Sequence, residues 1–181
     1  PNVTLEGDNH VMYQQTARGL LKAVAKIMQG KKLEGSFSYI NELMHFEGSK
    51  LSKFDPDNLG HLESILKAHA LYQIARTAKL LQLDREGTLE EKWNKKYQAD
   101  AVKMSNAHAV YMTADSFLTA LKTLKLSDGL KKHITTLCKI HLCHSVLTYA
   151  DGALLSGFVK AKHLFQIQEF MYEKIDEVAP Q

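Results

Sequence analysis

Residues 88–124 read TLEEKWNKKYQADAVKMSNAHAVYMTADSFLTALKTL, and this stretch decides the fold class. Trp93, Tyr97, Met104, Tyr111, Ala114, Leu118, Leu121 and Leu124 fall on or near one face at helical spacing, with no glycine or proline between them. Thr88-Leu89-Glu90-Glu91 has the form of a capping box. In that motif the hydroxyl meets the third free amide and the glutamate reaches back to the first. The pattern predicts that Thr88 opens the longest helix of the chain.

On its amino side, Asp57 or Asn58 is placed to cap a helix through Leu59, Leu62, Ile65, Leu66, Ala70, Ile74, Ala78 and Leu81, ending before Gly87. A first helix is expected from Asp8 or Asn9, with Val11, Met12, Leu20, Ala23, Val24, Ile27 and Met28 near one stripe and Gly30 as its stop. Between them, 31–58 is the least regular stretch: Phe37, Tyr39 and Ile40 suggest a short packed segment, and Asp55-Pro56-Asp57 a loop. On the carboxyl side, Ser127-Asp128-Gly129 restarts a helix through Ile134, Leu137, His141 and Leu147, and Asp151-Gly152 interrupts it. A last helix is expected from Ser156 or later to about Val178, before Pro180. Long amphipathic helices on short connections predict an all-α, antiparallel helical bundle.

Composition narrows the function classes. Of 181 residues, 45% are hydrophobic, enough for a substantial core, and the formal net charge is only +3. The lysines are interspersed with acids and form no basic stripe with aromatics, so no nucleic-acid partner is expected. No apolar run approaches a membrane span and no signal-peptide pattern occurs, so no membrane partner is expected either. Cys138 and Cys143 lie in one apolar helical stretch, pointing in different directions, and reduced thiols fit an intracellular compartment. The chain opens on Pro1-Asn2 and stops at Pro180-Gln181, and both ends read as cuts in a longer protein.

Few residues suggest chemistry. There is no glycine-rich phosphate loop, no Gly-x-Ser-x-Gly elbow and no His-Glu-x-x-His. Cys138, His141, Cys143 and His144 form the tightest cluster of metal-type ligands, but no second pair of ligands stands out, and a buried thiol helix is expected there. Lys31-Lys32, Lys95-Lys96 and Lys131-Lys132 read as solvated pairs. The opening run differs: Glu6-Gly7 precedes a helix start, where backbone can approach a ligand closely and free amides can receive a polar edge. The alternative is an acid favoured by the helix dipole.

Glu6-Gly7-Asp8-Asn9, followed by Val11-Met12 and Gln14-Gln15-Thr16-Ala17-Arg18, closely resembles the Glu-Gly-(Asp/Glu)-Asn motif of the FAD-dependent acyl-CoA oxidases. The related dehydrogenases usually carry Glu-Gly-Thr there, so Asp8-Asn9 favours the oxidase branch. A fainter likeness runs through Ser38-Tyr39-Ile40-Asn41, Ala75-Arg76, Ser105-x-Ala107-His108 and Leu137-Cys138. The sequence departs at Asp151-Gly152-Ala153-Leu154, where many members have Gly-Asp-Phe-Leu. The resemblance implies that Glu6 is the catalytic base and that Gly7, Asp8 and Asn9 line the flavin or CoA site. It implies FAD as cofactor, fatty acyl-CoA and O2 as substrates, a homodimer and a peroxisomal location. It implies a division into 1–30, the end of the flavin domain, 31–58, a connection, and 59–181, a carboxy-terminal helical bundle domain. The rival readings are a catalytically silent helical dimerisation or interaction module, and a dehydrogenase of the same superfamily.

Overall fold

The computed structural model describes residues 9–179. Among them there is no strand, and the chain is all-α. Helix α1 spans Asn9–Met28 and is followed by a 3-10 helix, Gly35–Glu42, and a single turn, α2, Leu43–Phe46. Helix α3 is Leu59–Leu83; α4, Leu89–Glu91, runs into a wide π turn, Lys92–Lys96; and α5 is Gln98–Thr123. Then come α6, Asp128–Tyr149, the short α7, Asp151–Leu155, and α8, Ala161–Val178.

The helix signals act where the sequence places them. Gly30 follows α1 at φ +76°, a left-handed conformation that a side chain would resist. Asn58 Oδ1 accepts from the amides of Gly60 at 2.9 Å and His61 at 3.3 Å, capping α3. The capping box is also present: the Thr88 amide donates to Glu91 Oε2 at 3.0 Å, and the Glu91 amide to Thr88 Oγ1 at 3.2 Å.

One expectation is corrected. The box does not open the longest helix but only α4 and the π turn, which closes at Tyr97 (φ −116°, ψ 15°) before α5 begins. The cause is tertiary. The Tyr97 hydroxyl donates to Asp84 Oδ2 at 2.9 Å, and Lys96 Nζ reaches the same oxygen at 2.7 Å. Lys92 donates to the Asp84 carbonyl. These contacts, with the Glu86 amide at 3.0 Å, hold the Asp84 carboxyl well below the usual carboxylate range. A π turn inserts one extra residue into the helical path. Here it accompanies a buried Trp93, 5% exposed, and a Tyr97 turned to Asp84.

The chain divides into two compact units, Pro1–Glu47 with Ala70–Ala109, and Gly48–His69 with Val110–Gln181. In the first unit the second half of α3 runs antiparallel to the first half of α5. Arg76 donates to the Asp100 carboxylate, and Thr77 Oγ1 meets the Asp100 carbonyl at 3.4 Å. Ala17, Leu20 and Ala23 of α1, Tyr39 and Ile40 of the 3-10 helix, Leu71 and Ile74 of α3, and Ala101 and Met104 of α5 form its core. The predicted stripe on α1 is buried only at its centre: Val11 and Met28 are 54% and 63% exposed.

In the second unit α6 and α8 are antiparallel, since the first turns of α6, at Lys131, Thr135 and Lys139, share a groove with Lys174, Glu177 and Val178 at the end of α8. Leu62, Ile65, Leu66, Leu118, Leu121, Leu142, Val146 and Ile167 are buried there, as are both cysteines. Burial pushes the Cys138 thiol up to about 11 and the Cys143 thiol to about 12, so both stay protonated at neutral pH.

The polar contacts of the first unit converge on α5. Ser105 Oγ, fully buried, donates to the Tyr13 carbonyl of α1 at 2.6 Å. One turn on, His108 Nδ1 lies 2.9 Å from the Tyr39 hydroxyl and its ring is 5.4 Å from that of Phe37. Burial lowers the His108 pKa to about 4, so the imidazole is neutral at neutral pH.

Two outcomes are expected. Thr88→Ala should cost about 1 kcal/mol, read as a lower denaturant midpoint, with faster amide exchange confined to 89–96 and not extending into α5. For His108, the unfolded imidazole binds a proton below about pH 6.5 while the folded one resists down to about 4. Its contribution is therefore full above pH 6.5 and is lost as pH falls towards 4, by roughly 3 kcal/mol. His108→Gln should flatten that part of the stability profile; an unchanged slope between pH 6.5 and 4 would show that His108 is not the titrating group.

Candidate functional site

Of the four residues singled out by the sequence, the structure describes one. Glu6, Gly7 and Asp8 lie outside the described residues, and Asn9 is the first residue of α1. The first turn of α1 carries no acidic side chain. Further along the motif, Met12 and Gln14 are half-buried, Gln15 is exposed and Ala17 is fully buried. Arg18 sits over the Trp93 ring, 5.7 Å from its centre. This is cation–π distance.

Several of the fainter family-like segments make hydrogen bonds within the first unit. Ser105 binds α1 and His108 binds the 3-10 helix through Tyr39. Asn41 closes that segment on itself: its amide side chain accepts from the Leu33 amide and donates to the Leu33 carbonyl, both at 2.9 Å. Arg76 ties α3 to α5. Each of these residues holds one element of the first unit against another.

Sequence reasoning missed two arrangements. An open groove of about 630 Å³ runs beside α1, lined by Arg18, Leu21, Lys22, Ala25, Glu90, Trp93 and Asn94. The Trp93 indole N–H is buried without a hydrogen-bond partner. The π turn that helps make this wall has no signature in the sequence. In the second unit, His69 Nδ1 lies 3.1 Å from both the Gly152 amide and Asp151 Oδ1. Asp151-Gly152, where the sequence departs from the family pattern, thus meets a buried imidazole whose pKa is lowered by burial against the opposing pull of Asp151. No sequence signal joins positions so far apart.

The metal-type cluster separates in the structure. Cys138 and Cys143 are buried, His141 is half-buried with its ring 6.0 Å from that of Phe117, and His144 is exposed. Among the described residues, no group of three or more histidines, cysteines or acids could hold a metal ion. Of the lysine pairs, Lys96 is committed to Asp84.

Comparison with known proteins agrees with the family resemblance and with the all-α fold. The acyl-CoA oxidase family model matches residues 58–181. The chain is 26% identical over its whole length to peroxisomal acyl-coenzyme A oxidase 1 of Phascolarctos cinereus, and 25% identical over 96% of its length to the Homo sapiens protein of that name. It spans about 28% of the first of these relatives and 27% of the second. Among solved structures, Arabidopsis thaliana acyl-CoA oxidase 1 superposes on 98% of the chain with a TM-score of 0.88 at 24% identity, and the chain covers 27% of it. Caenorhabditis elegans acyl-CoA oxidase-1, solved with FAD and ATP, superposes on 97% of the chain with a TM-score of 0.83 at 20% identity, and the chain covers 26% of it. With a family model matched from residue 58 to residue 181, the chain belongs to the acyl-CoA oxidase family.

Proposed function

We propose that this chain is the carboxy-terminal part of an FAD-dependent acyl-CoA oxidase that desaturates fatty acyl-CoA to trans-2-enoyl-CoA and passes the electrons to O2, giving hydrogen peroxide. The observation that carries this reading is the family match, to which the sequence motif Glu6-Gly7-Asp8-Asn9 adds support. In this reading 1–30 ends the flavin domain, 31–58 connects, and 59–181 is the helical domain. The family model, which begins at residue 58, supports that last boundary. The names of the mammalian relatives support a peroxisomal setting and the first step of β-oxidation there.

Glu6 is the base. Its carboxylate takes the α-proton of the thioester, while the β-hydride leaves to the cofactor. A thioester α-proton is weakly acidic, so its removal requires stabilisation of the developing enolate oxygen and concerted loss of hydride. Withdrawing the carboxylate from water makes it a stronger base. Gly7, Asp8 and Asn9 line the flavin or CoA, and a first helical turn without acidic side chains is compatible with receiving a polar cofactor edge. FAD, when bound, supplies the hydride acceptor and the route to O2. The enzyme is a homodimer in this reading.

The isolated 181-residue chain should fold as helix yet bind FAD weakly or not at all, because one edge of a flavin site does not enclose it. Purification of a yellow chain with stoichiometric flavin would contradict this. In the complete enzyme, Glu6→Gln should retain fold, flavin and acyl-CoA binding but lose at least roughly 10²–10⁴-fold in turnover, the range for removal of a general base. The assay is hydrogen peroxide production together with anaerobic bleaching of the flavin by acyl-CoA. A variant that bleaches at a near-normal rate would leave Glu6 a helix-start acid and favour the silent module. Bleaching without oxygen consumption would favour a dehydrogenase.

A further inference from the structure

The Glu6 reading requires that the start of α1 be held in one place, and a buried hydroxyl of α5 is bound to its opening turns. We propose that Ser105 is a positioning residue for the reaction: its hydroxyl, bound to the Tyr13 carbonyl, fixes the axial and rotational setting of the helix that Glu6-Gly7-Asp8-Asn9 leads into. The proposal rests on the assignment of Glu6 as base.

Ser105 Oγ lies 2.6 Å from the Tyr13 carbonyl, and Ser105 is fully buried. Tyr13 stands within the opening turns of α1, a few residues after the motif. Ala17 on α1 and Ala101 on α5, one turn from Tyr13 and Ser105 along each helix, are small, apolar and fully buried. Apolar contact is non-directional and tolerates rotation or sliding of a helix. A hydrogen bond has a preferred length and angle and does not. Each residue of slip moves a helix about 1.5 Å along its axis and turns it about 100°. Loss of that setting at the opening turns of α1 is expected to slow the proton transfer assigned to Glu6.

The support behind Ser105 is itself fixed. One turn on, His108 is held by the Tyr39 hydroxyl at 2.9 Å, and near the start of α5 Asp100 is bound by Arg76. The far side of α1 is steadied by Arg18 over Trp93. Those contacts hold the frame, whereas Ser105 alone of them touches the opening turns of α1. A helical carbonyl has two lone pairs, so deletion of the hydroxyl strands no acceptor and the fold should survive.

The test is Ser105→Ala in the complete, flavin-loaded enzyme. Misplacement of reacting groups by about 1 Å can cost on the order of 10²-fold. A drop of about tenfold or more in the rate of anaerobic flavin bleaching is expected, with kcat reduced, KM and acyl-CoA affinity within about twofold, and a larger isotope effect on α-deuterated acyl-CoA. Met104→Leu, a volume-conserving change at the neighbouring fully buried position, should leave the rate unchanged even where it lowers the melting temperature as much. A Ser105→Ala rate within about twofold of wild type, or an equal slowing by Met104→Leu, overturns the inference. If Glu6→Gln is inactive while Ser105→Ala is fully active, only this inference fails. If Glu6→Gln bleaches normally, the assignment of the base fails first and this inference falls with it.

Discussion

Burial of one face of α5 is the constraint from which most of the structure follows. Ala101, Met104, Ser105, Ala107 and His108 are buried in the first unit, and Tyr111, Ala114, Leu118 and Leu121 in the second. A helix with so much of one face withdrawn from water needs partners, and within each unit a part of α3 supplies some of them. Residues Arg76 and Thr77 meet Asp100 in one unit, and Glu63 meets Asp115 in the other. The Glu63 carboxyl is raised by burial first and by its acidic neighbour second, as when two carboxyls share one site.

Polar groups inside the first unit do more than satisfy one another. Ser105, His108 and Asp100 project from successive turns of α5 to α1, the 3-10 helix and α3 respectively. Apolar packing gives these elements their proximity, and the hydrogen bonds give them register. That division of labour matters for a chain whose proposed chemistry depends on one carboxylate just before a helix.

The family resemblance was legible in eighteen or so opening residues because the motif that carries it is written in consecutive positions. The hydrogen bonds made by the fainter family-like segments were not legible there. Ser105 and Tyr13, or His108 and Tyr39, are far apart in sequence, and nothing in either segment specifies the other. The π turn is a sharper case. Lys92–Lys96 has the composition of ordinary helix, and only the pull of Asp84 on Tyr97, Lys96 and Lys92 accounts for the break that separates the capping box from α5.

By itself the sequence determined the all-α class, the positions of α1, α3, α6 and α8, and the glycine, asparagine and threonine signals that start or stop helices. These depend on side-chain period and on hydrogen bonds between near neighbours, and both are properties of short stretches of chain. Only the tertiary structure decided which parts of each stripe are buried, leaving Val11 and Met28 of α1 exposed while Ala17, Leu20 and Ala23 are covered. It alone decided that His108 is neutral, that His69 meets Gly152, and that Ser105 reaches Tyr13. Burial and long-range hydrogen bonding depend on what packs against a residue, and helical period says which side a residue faces but not what it will meet there.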